Sequence, residues 1–414
     1  MKKMLPIIIL FVLVFMMLNR ECSTTSYEIS KNDMIKEYEH IWDILEENFS
    51  YYLEILSDRA YNLEEIKAKY RKRIEQASDF DEYYSILDEF LNNEFKGEGH
   101  LMLCQPSVYL GALKGLEYLL NDPENGDFTI NEGNENNLQI DEFINLDFEF
   151  MFKVFYDKDV KERYQMLADK NEVKLDILEK EGSPAKYHQN DFVKFFSHIG
   201  NRTLFIKYNN FALENVHKNT KLIEEKLKEI PYENIIVDIR GNGGGATLAW
   251  KNLVSLLIDT DIEWERYYLA KGDLSSKYTN QILKDDKVNK KQIDTNEYIY
   301  TITDKVISSK NKMDKVPDIY ILTDDKVFSA ANSFLKFTKE TSFASIIGTM
   351  SGKVGAGIGD PISYILPKSK LIIRFHASIQ CDEYGTPLDT SIKPDIFANP
   401  YISYDECIEL IKSN

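Results

Sequence analysis

Cysteine is scarce in this chain of 414 residues, and the four present, Cys22, Cys104, Cys381 and Cys407, are far apart. No CxxC pair occurs, so neither a thiolate zinc site nor a dithiol redox motif is supported. A bridge such as Cys104 to Cys381 is chemically permitted outside the cell, but spacing alone does not assign partners. Basic residues are also in deficit: 50 Lys and Arg stand against 68 Asp and Glu, a net charge of −18. Without clustered cations the chain has no electrostatic footprint for phosphate backbones, which argues against a nucleic-acid partner. Long apolar runs are missing except at the start, where Lys2 and Lys3 precede Met4 to Leu18 and polar Asn19, Arg20 and Glu21 follow. That pattern reads as an export signal. The run is short for a helix crossing about 30 Å of hydrocarbon, so a secretory signal is favoured over a stable anchor, and any membrane contact is confined to residues 4–18 if they are retained. Bulky, charged Arg20 and Glu21 before Cys22 disfavour lipidation of that cysteine. The expected location is therefore outside the cytoplasm, secreted or anchored at the cell surface.

What is present is enough apolar sequence, 43% of residues, for a sizeable core divided among two or three units. Met34, Ile35, Tyr38, Ile41, Trp42, Leu45 and Phe49 recur at the three-and-four spacing of an amphipathic helix. Leu63, Ile66, Tyr70 and Ile74 mark a second helix. Asp79 with Glu82 three residues on marks the capped start of a third. Residues 27–100 thus read as a small helical domain. Residues 101–195 follow no clear pattern, with helix-like stretches near 148–180 and a polar, Asn-rich region near 121–138.

From Arg202 the order changes to an extended Thr203–Tyr208, a helix through Val216 to Ile230, and the run Ile235-Ile236-Val237-Asp238-Ile239. A continuous apolar run of that length suits a strand covered on both faces. A helix from Thr247 and a second strand and helix, Asp318–Thr323 and 329–339, repeat the alternation expected of an α/β unit. Residues 343–347, 362–366 and 371–375 read as further strands, 271–297 as a structureless stretch, and 403–414 as a C-terminal helix or tail.

Two segments could carry chemistry. Arg240-Gly241-Asn242-Gly243-Gly244-Gly245 sits between a buried strand and a helix, where a glycine-rich turn lets backbone N–H groups converge on a negative oxygen. Phosphate binding lacks the Lys-Ser/Thr of a P-loop, which leaves an oxyanion site or a purely structural turn. In Phe328-Ser329-Ala330-Ala331 a strand again runs into a helix. A serine there is either an ordinary N-cap or an exposed nucleophile with the Ala330 N–H beside the attacked carbonyl.

Taken together, these segments resemble the C-terminal processing peptidase and tricorn-type serine peptidase family, the tail-specific protease catalytic domain. The shared order runs from Gly97-Glu98-Gly99-His100 through the strand and glycine turn to Phe328-Ser329, then Ile347-Gly348-Thr349-Met350-Ser351-Gly352-Lys353, Leu366-Pro367-Lys368-Ser369 and Ile392-Lys393-Pro394-Asp395. The resemblance implies an α/β fold: a crotonase/ClpP-like catalytic core over residues 196–402, its sheet flanked by helices, preceded by the small helical domain. It implies a serine-type peptidase acting through Ser329, with Gly244, Ala330 and Gly243 as oxyanion donors, no metal and no cofactor. Residues 101–195 carry no carboxylate-binding glycine loop of the kind a PDZ domain uses, so the chain resembles the branch without one.

The family offers two bases. Lys353, 24 residues after Ser329, matches the lysine of the processing peptidases; His100 matches the histidine of the tricorn-like members. The latter would be steadied by Asp389, which stands where relatives carry Glu, with Glu383 a second candidate acid. A histidine works near its natural pKa whereas a lysine must be desolvated to lose its proton at neutral pH, which favours His100. Leu101 stands where relatives have Thr or Ser, a departure that motivates the rival expectation of a silent, peptide-binding relative. His40, His188, His198, His217 and His376 read as surface or packing residues. The expected partner is a peptide laid as an added strand; the oligomeric state is not legible.

Overall fold

The computed structural model describes residues 28–52, 55, 62–95, 97–121, 153–171, 193–198, 202–212, 215–283, 288–309, 317–352, 357–388 and 391–413. The apolar run 4–18, Cys22, His188, Lys353 and Asp389 lie outside them. No described helix is long and apolar enough to cross a membrane.

The chain opens with α1 (Lys31–Asn48), α2 (Leu63–Gln76) and α3 (Phe80–Asp88), where the apolar spacing predicts them. Ser30, Asn62 and Asp79 cap their N-termini by accepting from the backbone N–H three residues on, satisfying donors the helix itself leaves free. The capping box at α3 is displaced by one residue: Glu82 reaches back to the Ser78 N–H at 2.8 Å. Tyr38, Trp42 and Tyr70 gather around Phe90 with ring centroids 5.2 to 5.4 Å away in three contacts, a buried aromatic centre for the helical region. A π turn and a 3-10 turn, Glu89–Glu94 and Glu98–His100, then lead into β1 (Met102–Leu103). Within the poorly patterned middle region lie α4 (Pro106–Asn121), α5 (Lys158–Lys170) and the start of β2 (Val193–His198).

The α/β region is built on β3 (Thr203–Tyr208), α6 (Val216–Leu227), β4 (Asn234–Asp238), α7 (Thr247–Leu257), β8 (Asp318–Thr323), α9 (Ala330–Thr341), β9 (Ser345–Gly348) and β13 (Ile396–Phe397). Six strands run in the order β13-β9-β8-β4-β3-β2, parallel except for the β2–β3 pair. Its two faces are both covered, as the unbroken apolar run in β4 requires. Ile235 and Val237 pack with Trp250, Phe334 and Phe337 from α7 and α9. Ile236 points the other way, with Phe205, Leu322 and Ile347, onto Cys407 and Ile408 of the C-terminal helix α10 (Tyr404–Ser413). That terminal helix is thus a wall of the sheet.

The described residues of 271–297 carry regular structure, contrary to the expectation of a structureless stretch. They hold the end of β5 (Ile262–Lys271), α8 (Asp273–Ile282), β6 (Asn289–Asp294) and the first residue of β7 (Glu297–Val306). All of β6 is exposed, so it carries no alternation to read; its order comes from pairing with β7. These strands and β12 (Ser378–Cys381) form an antiparallel sheet, β12-β5-β7-β6. A third sheet, β1-β11-β10, joins the helical region to β10 (Ile362–Ile365) and β11 (Ile372–Phe375). Cys104, Cys381 and Cys407 are buried and free, so the Cys104–Cys381 bridge is not formed. Desolvation raises all three thiols, to about 11, 12 and 11, which leaves them as inert packing groups.

Candidate active site

The two expected turns lie at the carboxyl ends of adjacent parallel strands, β4 and β8, where open α/β sheets present backbone to ligands. Hydrogen bonds knit them together. Phe328 N–H donates to Asn242 O at 3.1 Å, and Gly241 N–H donates to Asp324 Oδ1 at 2.9 Å. Gly244, at φ 106°, has no room for a side chain: a Cβ would meet Ser329 Cβ at 2.7 Å and Phe328 O at 2.9 Å.

Ser329 occupies φ 52°, ψ −126°, a conformation favoured for glycine at the first central position of a II′ turn. Holding a serine there costs about 1–3 kcal/mol, a strain that persists only where the surroundings enforce it. The residue stands at the N-cap of α9, yet its hydroxyl makes no capping hydrogen bond. The N-cap reading of this serine therefore fails on geometry, and among the described residues the hydroxyl has no cap to serve.

Within the glycine turn, Asn242 is fully buried. Its side chain donates to Tyr208 O and accepts from Gly244 N–H, both at 2.8 Å, the self-bonded turn that a short amide side chain readily makes. This corrects the expectation for Gly244, whose amide is occupied in this conformation. The amides of Gly243 and Ala330 have no acceptor among the described residues. Gly243 is exposed, with open space around it.

His100 arrives from the 3-10 turn before β1, with its ring centroid 5.1 Å from that of Phe328, the neighbour of Ser329. Burial and the nearby Arg374 charge lower its pKa to about 4, so it is neutral at pH 7. Its Nδ1 is buried and has no partner among the described residues. Glu383 is not assembled in this way. Glu383 is exposed on the turn after β12, interacting with Tyr267 and Tyr384. Asp389 and Lys353 fall outside the described residues, although Gly352, next to the lysine, donates its N–H to Val327 O at 3.0 Å, which docks that segment on the Ser329 loop.

Sequence reasoning assigned His376 to surface or packing. It is 4% exposed and its ring stands edge-on to His100, 4.4 Å between centroids. Gly357 makes space for it, since a Cβ there would lie 2.5 Å from His376 Nδ1. The signal was the alternation in Ile372-Ile373-Arg374-Phe375-His376, which sets two cationic-type side chains on one face of an apolar strand.

Comparisons with known proteins bear on the fold that carries these turns. Over residues 202–398 the sequence matches the model of Peptidase family S41. No curated protein matches the chain significantly. Among solved structures, a serine-to-alanine mutant of CPAF aligns at TM-score 0.55 with 10% identity, over 92% of this chain and 96% of that one. Mature CPAF complexed with lactacystin gives 0.54 and 10% over 92% and 97%. A protein from Parabacteroides merdae gives 0.50 and 16% over 92% and 93%. At such identities these likenesses speak to the fold, and they extend across the N-terminal helices as well as the core. The glycine turn and the serine loop both lie inside the segment that matches Peptidase family S41, and the chain shares the fold of these solved peptidase structures.

Proposed function

We propose that the chain is an exported serine peptidase that cleaves peptide bonds through an acyl-enzyme on Ser329. One observation carries the reading: an uncapped, strained serine packed against the glycine turn, with the residue before it in contact with His100. Ser329 Oγ attacks the peptide carbonyl carbon while the His100 imidazole takes the hydroxyl proton. Negative charge that develops on the carbonyl oxygen is met by the Ala330 and Gly243 N–H groups, each worth about 3 kcal/mol in comparable sites. Collapse breaks the C–N bond, the imidazolium returns the proton to the leaving amine, and water repeats the sequence to release the acid. Asp389 is the residue assigned to steady the imidazolium through Nδ1, and Lys353 is the second choice of base. The substrate lies extended as an added strand. Residues 1–22 supply export, as signal or anchor.

A fluorophosphonate probe tests this: it should label the purified protein at Ser329 and leave Ser329→Ala unlabelled. His100→Ala should abolish labelling while Lys353→Ala keeps much of it; the reverse would assign the Ser-Lys branch. The partnerless Nδ1 of His100 favours one rival, a silent relative that binds peptides without cleaving them. Peptide binding without any labelling or cleavage would establish it.

A further inference from the structure

Beside the serine loop, one face of the β1-β11-β10 sheet collects donors and no described acid. In this antiparallel sheet Arg374 lies directly opposite Met102 on one side and Ser363 on the other, so the three share a face. His376, just past the end of β11, feels the Arg374 charge; its backbone N–H donates to Gly99 O at 2.8 Å and its ring stands against that of His100.

Three polar atoms on this face are buried with no hydrogen-bond partner among the described residues: Arg374 Nε, His376 Nδ1 and Ser363 Oγ. Ser363 and His376 are only 2% and 4% exposed. No described carboxylate forms an ion pair with Arg374, although its charge is felt by His100, His376 and Cys104. Leaving one such group unsatisfied is costly, and a fold rarely leaves three together without a water or a ligand to satisfy them. A guanidinium flanked by a hydroxyl and imidazole nitrogens is a donor set for a planar anion.

We propose that Arg374, with Ser363 and His376, forms a subsite that takes a carboxylate of the bound peptide, making Arg374 a specificity-determining residue of the peptidase. The proposal rests on the peptidase reading for its biological meaning. Arg374 is partly exposed, so an incoming acid can reach it while the inner donors stay dry. The carboxylate can come from an acidic side chain or from a free C-terminus, both of which present the same two oxygens.

Fluorescent decapeptides on an alanine background, carrying Glu or Gln at one scanned position and ending in a carboxylate or an amide, separate the sources. Binding is read by anisotropy on Ser329→Ala, which needs no catalysis. At least one acidic peptide should bind about tenfold or more tighter than its neutral isostere, as expected of a charge-assisted bidentate contact. A Glu/Gln difference identifies a side chain, and a carboxylate/amide difference identifies the C-terminus. Arg374→Met should erase the preference and Arg374→Lys should keep part of it; Ser363→Ala, with a smaller loss, guards against misfolding of the arginine variant. Peptides that bind without acid preference, or a preference that survives Arg374→Met, would overturn the subsite. Failure of fluorophosphonate labelling in the unmodified protein, with acid preference intact in Ser329→Ala, would instead sink the peptidase reading alone.

Discussion

Gly244 and Ser329 touch through backbone that leaves no space for a second Cβ, which would stand 2.7 Å from the serine's own. The contact couples two loops separated along the chain by two helices, α7 and α8, and four strands, β5 to β8. Gly244→Ala should therefore act on the site more than on the fold. Relief requires moving Phe328 O or the serine, and a shift of even 1 Å at a reacting group costs on the order of 100-fold. Labelling of Ser329 should fall by at least that factor, with the strained φ adding about 1–3 kcal/mol of destabilisation readable by denaturant titration.

Ser329→Gly makes the opposite trade. Glycine accepts φ 52° without strain, while its freer unfolded chain takes back part of the gain. The net should be about 1 kcal/mol of stabilisation with labelling abolished. Thermal unfolding of the variant at or above the parental Tm is the expected result; a clear drop would mean that the hydroxyl holds the loop together.

How much of this was legible follows from which signals are local. The first three helices, β4, β8 and the helices after them could be read because their apolar periods and caps sit within a few residues. Convergence of residues 244 and 329 was a matter of resemblance, since no local pattern brings two turns together. Arg374 and His376 were missed because a polar pair on one face of a strand looks like ordinary solvent exposure until β1 and β10 are known to flank it. The Asn242 bond to Gly244 depends on one side-chain rotamer in a turn, which the residue string does not report.

The glycine turn is anchored from behind by an ion-pair cluster that reaches the C-terminus. Arg240 donates Nη2 to Asp238 Oδ2 at 2.6 Å, and its Nη1 to Pro400 O at 3.0 Å and Ile402 O at 2.9 Å. Tyr404 donates its hydroxyl to the same carboxylate at 3.1 Å. Burial pushes Asp238 up, but Arg240 and Lys207 outweigh it and hold the carboxyl below the usual range. Arg240→Leu removes the nearer cation from this buried charge, leaving Lys207 at 3.2 Å, and should cost about 3 kcal/mol. Adding Asp238→Asn should recover a good part of that loss in urea unfolding; purely additive losses would show that the pair does not interact.

The pH dependence of acylation distinguishes the two bases by sign and position. His100 must be neutral to accept the serine proton, and burial with Arg374 depresses its pKa to about 4. Labelling should therefore persist as pH falls below the ordinary histidine value of about 6.5 and be lost only as the folded value is passed. A lysine base would lose activity at far higher pH, as its neutral form disappears. Among the described residues the titratable groups facing His100 are Arg374 and His376, so Arg374→Met should move the acid limb upward toward 6.5. The same shifts bear on stability. His376 is also held well below its ordinary value, by burial first and then by His100 and Arg374. The unfolded chain thus binds protons that the folded one refuses, and each histidine removes about 1.4 kcal/mol per pH unit below about 6.5 until its folded pKa is reached. Replacing His376 by Phe should flatten that slope by one proton between pH 6 and pH 5 in urea titrations. An unchanged slope would mean that His376 is already protonated in the folded protein, with an anion beside it.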